Sequence, residues 1–192
     1  MPVHGPDRRY RVCFVCTGNI CRSPMAEAVF RARLEDAGLD DRVRTDSAGT
    51  GGWHVGEPAD PRTAAVLGTA DYPLLHAARR FEPDWFQHID LVIALDEGHR
   101  SELRRLAPDA AEAGKVRLLR SYDPVSAERG ELDVPDPYYG GDEGFQECLD
   151  LVEAAMPGLL AEVAAVVEAR EGRTGIGPAG SAGRGRAGSG GP

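Results

Sequence analysis

Residues 10–38, YRVCFVCTGNICRSPMAEAVFRARLEDAG, decide the fold. Tyr10 to Val15 is short and largely apolar, the pattern of a buried strand. Thr17-Gly18-Asn19 then signals a turn, and Ser23-Pro24 reads as a helix N-cap with proline at the first helical position. From Pro24 to about Ala37 the apolar residues Met25, Ala28, Val29 and Ala32 recur at helical spacing, Glu27 can pair with Arg31 one turn on, and Gly38 supplies a stop. The segment is strand, tight loop, helix, with the helix N-terminus pointing back at the loop.

Further along, the same rhythm returns. Val43 to Ser47 alternates like a strand, a Gly-rich loop carries Trp53, and Asp60-Pro61 caps a helix to about Leu67. Leu91 to Leu95 is an apolar strand followed by Asp96 and a charged helix to Leu106, and Val116 to Leu119 is a fourth strand. The last helix starts near Asp142 and buries Phe145, Leu149, Val152, Met156, Leu159 and Val163, with Pro157 expected to kink or divide it. Four strands alternating with helices predict an α/β fold, a doubly wound four-stranded parallel sheet with helices on both faces. Ligands of such sheets bind beyond the carboxyl ends of the strands, where the loop after the first strand lies.

At 192 residues, 42% of them hydrophobic, the chain suits one domain and one site. That domain is expected over 10–170, after a flexible N-terminus at 1–9. A Gly/Ala/Arg-rich tail at 171–192 carries Ile176 as its only large apolar residue, so it is expected to be disordered. The formal net charge of −9 repels nucleic acid and anionic membranes, so any bound anion needs a local cationic pocket. The N-terminus lacks an apolar stretch of signal-peptide length and no later stretch suits a membrane span; a cytoplasmic location is the expectation, as is a monomer. Cys13, Cys16, Cys21 and Cys148 show neither zinc-site spacing nor a disulfide framework, which leaves reduced thiols, one of them catalytic, and no metal or cofactor.

Cys16-Thr17-Gly18-Asn19-Ile20-Cys21-Arg22-Ser23 places a thiol and a guanidinium six positions apart across a turn that opens a helix. Backbone N–H groups of such a loop converge on an anion, the helix dipole adds to them, and Arg22 can grip two phosphoryl oxygens. The same field is expected to lower the Cys16 pKa into the roughly 3.5–7.5 range of activated thiols. Gly18 and Asn19 tolerate the left-handed backbone such a loop needs, and Ser23 can both cap the helix and donate to a thiolate.

VCFVCTGNICRSPMAE, residues 12–27, resembles the N-terminal signature of the low-molecular-weight protein tyrosine phosphatases. Asp136-Pro137-Tyr138-Tyr139-Gly140 resembles the second signature of that family, and Trp53-His54-Val55-Gly56 with Asp60-Pro61-Arg62 resembles its intervening loop. The likeness runs from about Tyr10 to Val167. It implies the flavodoxin-like fold of these phosphatases, phosphotyrosine-containing proteins as substrates, Cys16 as nucleophile, Arg22 on the equatorial oxygens and Asp136 as general acid and base. Chemistry requires such an acid, because a phenolate leaves poorly unless protonated as the P–O bond breaks. The likeness further implies Trp53, Tyr138 and Tyr139 as aromatic walls, Asn19, Ser47 and His76 as loop supports, and Cys21 as a partner for reversible oxidation of Cys16. Thr17 departs from the apolar residue common there. Cys13 and Cys148 read as core, and Arg79-Arg80 and Arg104-Arg105 as solvated faces.

Rival activities of the same fold leave traces that differ. An arsenate reductase needs two further cysteines downstream, and no such pair is present. The arginine phosphatases usually carry threonine at the position of Ile20 and a different aromatic after Asp-Pro. A phosphate-binding module without turnover is expected to lack Cys16, Arg22 or Asp136.

Overall fold

The computed structural model describes residues 9–174. Four strands, β1 (Tyr10–Cys16), β2 (Val43–Gly49), β3 (Leu91–Ala94) and β4 (Val116–Leu118), form one sheet in the order β2-β1-β3-β4. Every pairing is parallel, with Cys16 opposite Gly49 and Val15 opposite Ala94. The first strand therefore has one neighbour from each winding direction, and the loop after it opens at the switch point of the sheet.

Alternation along β1 supplies both cores. Val12, Phe14 and Cys16 face a cluster with Met25, Val29 and Phe30 of α1 (Arg22–Asp36), Leu67 of α2 (Pro61–Thr69) and the apolar stripe of the last helix, α6 (Asp142–Thr174). Phe14 and Phe30 meet edge to face at 5.6 Å, each fully buried and each worth about 1.5–3 kcal/mol of transfer free energy. Cys13 and Val15 face the opposite cluster with Val92, Ala94, Phe81, Phe86 and Leu103, the last from α3 (Glu97–Leu106). Cys13 and Cys148 are core residues, as expected, and burial raises the pKa of both, Cys148 to about 12.

One expectation is corrected, one is narrowed and one helix end moves. Ser23 is not the N-cap: α1 begins at Arg22 and Cys21 holds the cap position without a side-chain bond. The first bonded donor of α1 is Met25, whose N–H reaches Cys21 O at 3.3 Å, so Pro24 still precedes the first donor the helix needs and costs it nothing. Pro157 does not divide α6, which is helical throughout; Pro157 is on the exposed side, where water can satisfy the carbonyl it frees. The helix also runs on to Thr174, past the expected boundary at 170, while the rest of the expected tail and residues 1–8 lie outside the described residues.

Two caps behave as read. Gly38 takes φ +64° after α1, letting Leu39 N–H reach back to Leu34 O at 2.8 Å and tuck its side chain into the core. Asp60 caps α2, accepting from Arg62 N at 2.8 Å. Short elements absent from the sequence reading complete the chain: a 3₁₀ turn at Pro83–His88, α4 (Ala110–Ala113), a 3₁₀ turn at Leu119–Tyr122 and α5 (Pro124–Arg129). Among the described residues no helix is long and apolar enough to cross a membrane.

Candidate active site

Between β1 and α1 the chain wraps into a loop whose carbonyls are held from outside. Thr50 N donates to Cys16 O at 2.8 Å, Gly51 N to Thr17 O at 2.9 Å, His76 Nε2 to Asn19 O at 2.6 Å and Asp60 N to Ile20 O at 2.8 Å. The close pass against β2 requires Gly49, where a Cβ would meet Thr17 O at 2.6 Å.

Asn19 is the centre of this scaffold. It is fully buried with φ +56°; its Nδ2 donates to Ser23 Oγ at 2.9 Å and Ser47 Oγ at 3.0 Å, and its Oδ1 accepts from Arg79 N at 2.8 Å. Ser47 Oγ in turn donates to Glu27 Oε2 at 2.5 Å, and Glu27 also pairs with Arg31 as expected. Gly18 does not share the left-handed conformation; it provides clearance instead, since a Cβ there would lie 3.1 Å from the His54 ring. Arg79 is solvated as expected, its side chain 43% exposed, but its guanidinium also pairs with Asp46, bonds Ser47 O at 3.0 Å and stacks 5.0 Å from the Trp85 ring centre.

Cys16 Sγ is buried with Ser23 Oγ at 3.0 Å. Arg22, only 4% exposed, donates from Nη1 to Asp96 Oδ2 at 2.9 Å and Val134 O at 3.0 Å, and from Nη2 to Asp136 Oδ2 at 3.2 Å. The other oxygen of Asp136 accepts from Tyr138 N at 3.1 Å, a local turn that aims the carboxyl back at the cleft. Asp96, the N-cap of α3, is half-buried, and burial alone pushes its carboxyl up; the His99 ring and backbone N–H beside it, with the Arg22 guanidinium, outweigh that and hold it well below the usual carboxylate range. Burial, with Asp60 adding to it, pushes the Cys21 thiol up to about 12.

These groups floor a cleft of about 360 Å³ lined by Cys16, Thr17, Gly18, Ile20, Cys21 and Arg22 below and by Trp53, His54, Asp136, Tyr138 and Tyr139 above. Trp53 is 75% exposed and Tyr139 91%, while Tyr138 is 39% exposed and meets Tyr139 edge to face at 5.0 Å. Arg62 anchors the aromatic segment: held by Asp60, it donates to Tyr138 O at 3.1 Å and Gly140 O at 3.2 Å. Every site residue read from the sequence is thus in the cleft or in its support. Asp96, His99, Glu27 and His54 were missed as site residues. Glu27 carried a usable signal, one turn after Ser23 on an otherwise buried helix face, and so did His54, next to Trp53 in the Gly-rich loop; Asp96 and His99 declare themselves through contacts distant in sequence. Among the described residues no group of three or more histidines, cysteines or carboxylates is gathered that could hold a metal ion.

Comparison with known proteins agrees over nearly the whole described chain. The sequence profile of the family described as "Low molecular weight phosphotyrosine protein phosphatase" matches residues 11–169. A protein from Streptomyces coelicolor named low molecular weight protein-tyrosine-phosphatase is 70% identical over 161 residues, covering 84% of this chain and 98% of that relative. Low molecular weight protein-tyrosine phosphatase A of Mycobacterium tuberculosis is 51% identical over 148 residues, covering 77% and 88%. A crystal structure of the protein tyrosine phosphatase of Entamoeba histolytica, with Hepes in its active site, superposes with a TM-score of 0.74 at 32% identity, covering 85% of this chain and 99% of that one.

Proposed function

Because the chain belongs to the low molecular weight phosphotyrosine protein phosphatase family, we propose that it hydrolyses phosphotyrosine in proteins through a covalent phosphocysteine on Cys16, with Asp136 as general acid and then base. The observation that carries the assignment is the convergence of Cys16, Arg22 and Asp136 in one cleft, Asp136 being drawn in from 114 residues beyond Arg22.

The chemistry follows from the geometry. Sγ attacks phosphorus, the S–P bond forms as the P–O bond to tyrosine breaks, and Asp136 gives its proton to the departing phenol oxygen. Water then attacks the phosphocysteine, losing its proton to the Asp136 carboxylate, and the S–P bond breaks to release inorganic phosphate and the Cys16 thiolate. Ser23 Oγ, at 3.0 Å, donates to that sulfur whenever it carries charge. Since the loop's carbonyls are committed outward, its N–H groups serve the phosphoryl oxygens. Arriving phosphate draws Arg22 Nη2 from Asp136, which frees that carboxyl to meet the leaving oxygen. The phenyl ring lies between Trp53 and Tyr138, with Tyr139 at the outer edge.

Rapid quench with radiolabelled phosphotyrosine peptide tests the assignment. Wild type is expected to carry label on Cys16, and Cys16→Ser to bind peptide without turnover, since a serine hydroxyl stays protonated where a thiol ionises and is a weak nucleophile at its free pKa. Absence of a phosphoenzyme together with an active Cys16→Ser variant would refute the mechanism.

A further inference from the structure

We infer that His99, in the first turn of α3, is a positioning residue that fixes the nucleophile end of the phosphate loop relative to Arg22. Its imidazole is 4% exposed, with Nε2 2.8 Å from Thr17 Oγ1 and Nδ1 3.0 Å from Asp96 Oδ1. The second contact is off the line of a well-formed hydrogen bond, and Nδ1 has no other partner. The opposite oxygen of Asp96 holds Arg22 Nη1 at 2.9 Å. One ring and one carboxylate therefore join Thr17, the neighbour of Cys16, to the guanidinium at the far end of the loop, by a route that avoids the loop's own backbone.

Helix stability does not require this arrangement. Asp96 Oδ1 already caps α3 by accepting from His99 N at 2.8 Å, whatever the ring does. Nor does burial require it of Thr17, which is solvent-exposed and could give its hydroxyl to water. The ring instead reaches 82 residues back along the chain to hold that hydroxyl. With its proton on Nδ1, towards the Asp96 carboxylate, Nε2 accepts from Thr17. When phosphate enters, Arg22 exchanges partners and pulls on the loop; the brace keeps Sγ in line with phosphorus while it does so. Its loss should show in the chemical step more than in anion binding, because small errors in attack geometry are costly there.

The inference rests on Cys16 and Arg22 as the reacting pair, and the experiment separates the two. Thr17→Val removes one hydroxyl from an exposed residue and leaves the fold intact; His99→Phe keeps the ring volume. Each is expected to lower kcat/KM for aryl phosphate by roughly three- to tenfold, the value of one hydrogen bond, while the inhibition constant of inorganic phosphate stays within about twofold. The double variant should be no worse than the poorer single one. His99→Gln, whose amide reaches the place of Nε2, should recover activity relative to His99→Phe, but not when combined with Thr17→Val. A Thr17→Val enzyme equal to wild type, or losses that multiply in the double variant, would overturn the brace. Phosphate trapping on wild-type Cys16 stands apart from these results: a labelled Cys16 with an unresponsive Thr17→Val defeats the brace alone, and an unlabelled Cys16 defeats the assignment beneath it.

Discussion

Replacing Asn19 by alanine tests how the phosphate loop is held. Three side-chain hydrogen bonds disappear, to Ser23 Oγ, Ser47 Oγ and Arg79 N, each worth about 0.5–1.5 kcal/mol net. Alanine at φ +56° adds roughly 1 kcal/mol of backbone strain that asparagine tolerates better. The sum is about 2.5–5.5 kcal/mol. For a chain of this size each kcal/mol moves the melting temperature by roughly 2–4 °C, so the variant should melt about 5–20 °C below wild type. Asn19→Gly relieves the strain but restores no bond, and should recover only about 1 kcal/mol of the loss. Melting followed by circular dichroism, with p-nitrophenyl phosphate hydrolysis on the same samples, gives both readouts; kcat/KM should fall at least tenfold in each variant because Ser23 loses the donor that orients it. An Asn19→Ala protein that melts within about 2 °C of wild type and keeps its activity would show that the loop is held by its carbonyl contacts and not by this side chain.

Three further outcomes are expected. Asp136→Ala should lose rate most on phenyl phosphates with basic leaving groups; an equal loss across leaving groups in a structure–reactivity series would remove Asp136 from the role of acid. Mild peroxide should inactivate the enzyme reversibly, with recovery in dithiothreitol that depends on Cys21; the raised pKa of Cys21 makes it the later partner in a disulfide, not the first thiol oxidised. A Cys21→Ser variant that recovers as fully as wild type would refute this. The third concerns Asp96, whose folded-state pKa is depressed, so its ionised form contributes stability above the ordinary carboxylate value near 3.8 and that contribution is lost as pH falls through the folded value. Asp96→Asn should therefore be less stable than wild type by a constant margin from pH 7 to about 5, narrowing below about 4, as read from urea melts across that range.

Much of the architecture was legible because it is written in local periods. The first strand alternates between two cores, the first helix stops at Gly38, and Asp60-Pro61 and Asp96 open their helices where the residue types require. The α5 turn was legible too, with Asp123 capping Val125 and Ser126 and Gly130 closing at φ +70°, but it was not read. Ser23 was misread because the Ser-Pro pair has the pattern of a cap, whereas the loop enters helical geometry about half a turn earlier and brings Arg22 inward. The site divides in the same way. Cys16 and Arg22 share one loop and show themselves by spacing. Asp96 meets Arg22 across 74 residues and Arg79 meets Asn19 across 60, contacts that no local period encodes.

The two carboxylates on Arg22 bear on how this cleft should be inhibited. A ligand that reaches its floor first parts Arg22 from Asp136, which lie 3.2 Å apart, and leaves that carboxyl facing the incoming head group. A phosphonate dianion satisfies the guanidinium but gives Asp136 nothing in place of the donor it loses. A head group that also carries an N–H or O–H towards Asp136 returns to it the donor it has lost, which a plain phosphate mimic does not. Inhibitor chemistry for this enzyme should therefore be scored on two exchanges at once, an acceptor supplied to Arg22 and a donor supplied to Asp136.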